Sequence, residues 1–264
     1  MTQTQHLQSV ILNIAKDIDK LCRENGIEYY LFGGSALGAK RHHGFIPWDD
    51  DLDIVLLPEQ YDRFIALCKE KLDRDKYVLQ EGLVDWPEHF SKIRLKGTHI
   101  KEFGEYYIDE NTDGIFVDVF RIDYSPNSLL KRRIQYFWGK LWLAYNMNLK
   151  GYKSDSIAKR MLSFGAKSMK LSFVRKFVIG QYLKYNKKPT DWTSDVMGRT
   201  RFHNAFIPRA VYGKPTYVRF EDTSLPAHEN LDQYLSITFG DYMKLPPEDK
   251  RVGMHIEKID FGDY

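Results

Sequence analysis

Cysteine is nearly absent: the chain has two in 264 residues, Cys22 and Cys68, each inside a stretch of helical periodicity. That excludes a disulfide framework and a Cys-rich zinc centre, and it suits a reducing, cytoplasmic setting. Long hydrophobic runs are missing too, and none approaches the roughly 18 residues that a spanning helix needs. The first stretch, "MTQTQHLQSVILNIAKDIDK", carries charges at helical spacing, so no secretory leader is expected. No internal repeat and no low-complexity tract occurs, which removes solenoids and compositionally biased linkers. The sharpest deficit is local. Residues 129–190 hold 15 Lys or Arg and one acidic residue, Asp155, for a net charge of +14. The whole chain is only +3, so the remainder carries −11. One polypeptide thus combines an acidic part with a basic arm.

What is present is 43% hydrophobic and 14% aromatic residues, enough for one sizeable core or a core with a smaller appended part. Leu7, Val10, Ile11, Ile14, Ile18, Leu21 and Cys22 recur at helical spacing, and Gly26 follows as a stop. "IEYYLF" (27–32) reads as a strand, followed by a glycine-bearing turn and a short helix from Ser35. "DLDIVLL" (51–57) reads as a second strand, and Pro58 opens a helix over 58–72. "YVLQEG", "FSKIRLKGT" and "GIFVDVFRID" (114–123) read as further strands. Such alternation predicts an α+β or α/β first half. From about 125 the pattern becomes helical. Leu130, Ile134, Phe137, Trp138, Leu141, Trp142 and Tyr145 form one stripe, and one or two more helical stretches follow before Pro189. "VYGKPTYVRF" suits a strand, and "LDQYLSITFGDYM" suits a last helix before Pro246-Pro247. The expected division is a catalytic core over 1–124 and a helical, basic segment with the C-terminal region packing on that core over 125–264.

The chemistry concentrates in "FIPWDDDLDIVL" (45–56), where four aspartates fall within five residues at the mouth of a strand. Aspartate is depleted from strands. Carboxylates this close repel one another unless a proton or a cation sits among them. Side chains alternate along a strand, so Asp51 and Asp53 share a face about 7 Å apart while Leu52 and Ile54 face the core. Two carboxylates so placed can grip one hard cation, Mg²⁺ or Mn²⁺. Asp118, between Val117 and Val119, is a third ligand that a neighbouring strand can deliver. Upstream, Gly33-Gly34-Ser35 ends a strand and opens a helix. Backbone N–H groups at such a terminus form a phosphate cradle, and paired glycines let a ligand approach closely. Gly-Gly-Ser alone is commonly a turn and Asp-X-Asp alone a solvated loop. Carboxylates that bind metal, set against a phosphate cradle, are the parts that phosphoryl transfer needs.

Gly-Gly-Ser after a strand, Asp-hydrophobic-Asp on the next and a third Asp later resemble the nucleotidyltransferase fold of DNA polymerase β type. The phrase "GGSALGAKRHHGFIPWDDDLDI" resembles more narrowly the LicD family of phosphocholine transferases, related to fukutin. "GIFVDVFRID" and "FGDYMKLPPEDKRVGMH" fit the same pattern. The matches cover about 30–123 and 225–255. The resemblance implies an α+β, mixed-sheet core with a mainly helical, basic second part. It also implies a transferase that moves phosphocholine or a related phospho-alcohol. The donor would be CDP-choline or another CDP-alcohol. The acceptor would be a hydroxyl of a surface glycan, such as teichoic acid or lipopolysaccharide, or of its lipid-linked precursor. CMP would leave. Asp51 and Asp53 would ligate both metals, Asp118 would hold the catalytic one, and Gly34 and Ser35 would cradle the donor phosphates.

Further basic residues have two readings each. Lys92 and Arg94, with Lys96, share one face of "SKIRLKG". They are either the charged guard of an edge strand or a clamp on the diphosphate. Arg41 could reach phosphate or simply be solvated. His42 and His43 suit zinc poorly beside hard carboxylates, and Asp49 and Asp50 suit the entry turn or the outer surroundings of the metals. His255 matches the family tail without an assigned role. A choline substrate would need an aromatic box, for which 17 Tyr and 5 Trp are too many candidates. Two rival functions remain: a nucleotidyltransferase acting on a small molecule, and a non-catalytic basic adaptor for membrane or RNA. The acidic triad argues against the adaptor. No nucleic-acid partner is expected, while the aromatic, basic arm suits peripheral contact with an anionic membrane.

Overall fold

The computed structural model describes residues 1–102, 112–151, 157–198, 200–253 and 256–264. The chain divides into two compact units, Met1–Arg121 with Val211–Tyr264, and Ile122–Ala210. The first unit starts with α1 (Gln3–Glu24), β1 (Tyr30–Leu31), α2 (Gly33–His42), β2 (Asp53–Leu56) and α3 (Pro58–Lys71). It continues with β3 (Tyr77–Gln80), β4 (Phe90–Leu95), β5 (His99–Glu102) and β6 (Phe116–Arg121). The second unit holds β7 (Asp123–Ser125), α4 (Leu129–Leu149), α5 (Ile157–Ala166), α6 (Ser172–Leu183), β8 (Trp192–Ser194) and β9 (Phe206–Pro208). The chain then re-enters the first unit with β10 (Thr216–Phe220), β11 (Thr223–Ala227), α7 (Leu231–Phe239) and β12 (Ile256–Asp260).

Local chemistry explains the first helix. Thr2 and Gln5 form a reciprocal capping box at the start of α1, and Leu7, Ile11, Ile14, Ile18 and Cys22 bury one face. Gly26, at φ +61°, turns the chain out of it. The central sheet has five strands in the order β1-β2-β6-β4-β3. β2 and β6 run parallel, and the other neighbours are antiparallel. The fold is therefore α+β with a mixed sheet. Ile54, Val55, Leu56, Ile93, Val117 and Val119 are all buried. Consecutive apolar residues on β2 show that both faces of the sheet are covered. Two expectations change here. The strand expected over 51–57 covers only Asp53–Leu56, so Asp51 precedes it. β4 lies between β6 and β3, so Lys92 and Arg94 guard no edge.

The C-terminal stretch is not purely helical. β12 pairs antiparallel with β5, and β10 pairs with β11 as a hairpin. Among the described residues α7 is the last α-helix, within "LDQYLSITFGDYM", and β10 falls within "VYGKPTYVRF". β12 was not expected, because periodicity does not reveal a short strand whose partner β5 lies about 150 residues away.

In the second unit, β7, β8 and β9 make a three-stranded antiparallel sheet. Tyr182, Val196, Ala205 and Phe206 centre its core. α4 departs from the expected stripe. It buries Gln135, Gly139, Trp142 and Asn146, whereas Leu130, Ile134 and Phe137 are exposed. Gln135 is buried because its amide is used: it donates to the Tyr124 and Tyr182 carbonyls at 2.8 and 3.2 Å and accepts from Ser125 Oγ at 2.7 Å. Gly139 is needed because a Cβ there would stand 2.6 Å from Val196 Cγ1. No helix among the described residues is long and apolar enough to cross a membrane.

Candidate metal and phosphate site

The sheet register puts the acidic residues together. Asp53, first in β2, pairs with Asp118 of β6, Asp118 pairs with Lys92 of β4, and Lys92 pairs with Gln80 of β3. This forms one polar row across an otherwise apolar sheet. Backbone bonds lock the entry: Phe32 N–H donates to Asp53 O at 2.9 Å, and Asp118 N–H donates to Leu52 O at 3.0 Å. One carboxylate oxygen each from Asp51, Asp53 and Asp118 lies within 4.8 Å of the others, and the same holds for Asp49, Asp50 and Asp51. Among the described residues, no histidine belongs to such a cluster.

These carboxylates share a poor environment for negative charge. Burial raises Asp53 well above the usual carboxylate range, and Asp51, Asp118 and Asp49 raise it further while Lys92 opposes them. Asp118 is raised to about 7, first by burial against the opposing pull of Lys92, then by Glu102 and Asp51. Asp49 is raised to about 8 by burial, Asp51 and Asp50. Either protons or a cation relieve such crowding. A donor set of oxygens alone matches a hard divalent cation.

Lys92 supplies the only basic group within this row. Its Nζ lies 3.1 Å from Asp118 Oδ1 and 2.8 Å from Glu102 Oε2. The ammonium also stands 3.2 Å from the Phe116 ring centroid, with Phe90 and Trp86 at 5.6 and 5.7 Å. Glu102, Phe116 and Trp86 escaped the sequence reading, because they reach Lys92 from outside β4, whereas Phe90, two residues before it on β4, shares its face. Arg94 is equally buried, but it serves the core: Nε donates to Gln80 Oε1 at 2.9 Å and Nη1 to the Gly114 carbonyl at 3.1 Å. A diphosphate clamp therefore does not include Arg94. Lys96 is exposed and donates to the Arg74 carbonyl.

The glycines face the acids. Gly33 has φ +48°, and a Cβ on it would lie 3.4 Å from Asp53 Oδ2. A Cβ on Gly34 would lie 3.1 Å from Asp49 Oδ2. Both positions keep the opening of α2 free of side chains. Gly33 N–H donates to Tyr234 Oη at 3.0 Å, a partner from α7 that sequence reasoning missed because it lies some 200 residues away. The Ser35 hydroxyl is turned inward and accepts from Asp53 N–H at 2.9 Å. Arg41 is not with this group. It sits in the last turn of α2, roughly 12 Å of helix rise from Gly33, and donates to His42 Nε2 and the Tyr242 carbonyl, each at 3.0 Å. Asp50 is buried, and its Oδ2 would be 2.8 Å from a Cβ on Gly253. His255 lies outside the described residues.

The sequence is similar to those of known proteins. Residues 26–154 match the family described as LicD/FKTN/FKRP, nucleotidyltransferase domain. The lipopolysaccharide cholinephosphotransferase LicD of Haemophilus influenzae is 28% identical over 95% of this chain and 95% of its own length. An uncharacterized protein of Rickettsia prowazekii is 28% identical over 45% of this chain and 59% of its own.

Proposed function

Because the chain belongs to the LicD family, we propose that it transfers phosphocholine, or a related phospho-alcohol, from a CDP-activated donor such as CDP-choline. The acceptor is a hydroxyl of a surface glycan or of its lipid-linked precursor, and CMP leaves. The name of the Haemophilus relative supports phosphocholine as the group and lipopolysaccharide as the kind of acceptor. The mixed sheet is read as a nucleotidyltransferase core of polymerase β type. One observation carries the proposal: oxygens of Asp51, Asp53 and Asp118 converge within 4.8 Å beside the side-chain-free opening of α2. Two buried free thiols, Cys22 and Cys68, suit a reducing, cytoplasmic setting.

The residues fit a divalent cation, since the donors are all hard oxygens and Asp53 and Asp118 are crowded with like charge. Asp51, Asp53 and Asp118 would hold Mg²⁺ (or Mn²⁺), whose charge would offset that of the diphosphate. The other roles belong to the chain itself. Backbone N–H groups of Gly34 and Ser35, at the open end of α2, receive anionic phosphate oxygens. Ser35 Oγ fixes the start of β2 through Asp53 N–H. Lys92 is a positioning residue that holds Asp118 against Glu102. The acceptor oxygen attacks the phosphorus nearer the alcohol. A new P–O bond forms there as the bond to the CMP phosphate breaks.

Product analysis tests the proposal. Incubation with CDP-choline, Mg²⁺ and a glycan acceptor should release CMP and yield a phosphocholine-bearing product. Pyrophosphate release from CTP in the presence of a small-molecule acceptor, with CDP-choline left intact, would replace it by a nucleotidyltransferase.

A further inference from the structure

We propose that the second unit docks on an anionic lipid surface through the outward face of α4 and α6. The inference goes beyond the transfer reaction and does not depend on it. α4 is built inside out. Its buried face carries Gln135, Gly139 and Asn146 beside Trp142, while its outward face carries Leu130, Ile134 and Phe137. Those three positions, at i, i+4 and i+7, lie on one side of the helix. A helix whose only task is to close a core buries its apolar stripe and exposes its amides. Here Leu130 is 67% exposed, Phe137 49%, Phe173 68% and Phe177 56%.

The two helices present these residues side by side. Phe137 and Trp138 are in edge contact at 5.1 Å between ring centroids, and Trp138 meets Phe177 of α6 at 5.6 Å. Phe173 precedes Phe177 by one turn and shares its face, while Val178 and Tyr182 take the buried side of α6. The result is an aromatic patch that spans two packed helices. Water contact of this extent marks an interaction surface.

Charge identifies the occupant. Lys131 and Arg133 of α4, Lys176 of α6 and Lys184 just after α6 are exposed. Asp155 is the one acidic residue among 129–190. Helices that carry exposed aromatic rings and exposed cations, in a stretch with a single acidic residue, are complementary to a bilayer with anionic headgroups, into which aromatic rings enter at the level of the acyl boundary. Each Lys or Arg near such a surface strengthens binding about fivefold. Four engaged cations therefore give on the order of 10²-fold or more. A second protein copy with the same +14 segment would meet like charge.

Co-sedimentation of the full chain with vesicles tests the inference. One set contains phosphatidylglycerol in phosphatidylcholine, and the other is phosphatidylcholine alone. Binding is expected to the anionic set at 50 mM salt. It should fall steeply toward 1 M, where the screening length shrinks from about 10 Å at 0.1 M to about 3 Å. Phe137→Ser with Phe177→Ser should lower the bound fraction at least tenfold while leaving the circular dichroism of a folded protein. Should that pair destabilise the fold, Lys131→Glu with Arg133→Glu and Lys176→Glu provides an independent loss of binding. Protein that stays in the supernatant with anionic vesicles at low salt overturns the proposal. So does binding that the folded double variant retains, or a salt-stable dimer that the double variant splits.

Discussion

Lys92 offsets only part of the negative charge that Asp53 and Asp118 bring into the central sheet and Glu102 brings to it from β5, and the surplus has measurable consequences. Asp51→Asn should cut turnover by at least 10²–10³, as loss of one electrostatic stabiliser typically does, while the protein stays folded. Assay at saturating Mg²⁺ checks this, and near-wild-type turnover would sink the assignment of Asp51. The same crowding sets a pH dependence in EDTA. Asp118, raised to about 7, and Asp49, raised to about 8, hold protons in the folded state that the unfolded chain, titrating near 3.9, has already lost. The folded state binds more protons, so stability falls as pH rises through that window. Buried His228, lowered to about 3 by desolvation, acts with the opposite slope, but only below its ordinary value of 6.5. Asp195, raised to about 7 by burial, titrates in wild type and variant alike. The comparison therefore belongs between pH 6.5 and 8. There the melting temperature of metal-free wild type should drop, and that of Asp51→Asn should drop less, because Asp51 raises Asp53, Asp118 and Asp49. Parallel curves for the two proteins would refute this account.

At the scale of elements, α4 reverses the usual ranking of substitutions. Gln135→Leu removes partners from Ser125 Oγ and the Tyr124 and Tyr182 carbonyls. It should cost about 2–4 kcal/mol, since each buried group left unsatisfied costs roughly 1–3. Phe137→Ser, on the exposed face, should stay within about 0.5 kcal/mol. Urea denaturation of the two variants decides it, and a larger loss for Phe137→Ser would mean that the aromatic face is internal. This reversal marks where sequence reading stopped. Periodicity revealed α1, α3 and β6, because their buried faces are apolar. It also located Asp53 and Asp118, because aspartate in a strand is anomalous. It misassigned the inner face of α4, because only tertiary partners reveal that Gln135 and Asn146 point inward. It left Arg94 between an edge guard and a ligand clamp, because charge alone does not disclose that Gln80 and the Gly114 carbonyl wait inside the sheet. Tyr234 and Glu102 were invisible for a related reason: each acts on a residue of another element.

For the whole molecule, the uneven charge predicts how ligands arrive. Outside 129–190 the chain carries −11, and the carboxylates crowd at the opening of α2. In the proposed reaction, a CDP-alcohol would bring a diphosphate to that opening. Calorimetric titration should show binding with Mg²⁺ and little in EDTA, and equal affinity in both would assign the diphosphate to Lys and Arg side chains instead. The long return of the chain adds an ordering in time. β5 carries Glu102, the partner of Lys92, yet β5 pairs with β12, whose Ile256 lies opposite Glu102 about 150 residues later. At 5–20 residues per second that separation is roughly 8–30 s of synthesis. Tyr234 likewise reaches Gly33 only after the second unit has been made. On the ribosome, β5 therefore waits as an open edge until β12 has been made, and the elements that hold Lys92 and Gly33 in place are completed long after those residues have emerged.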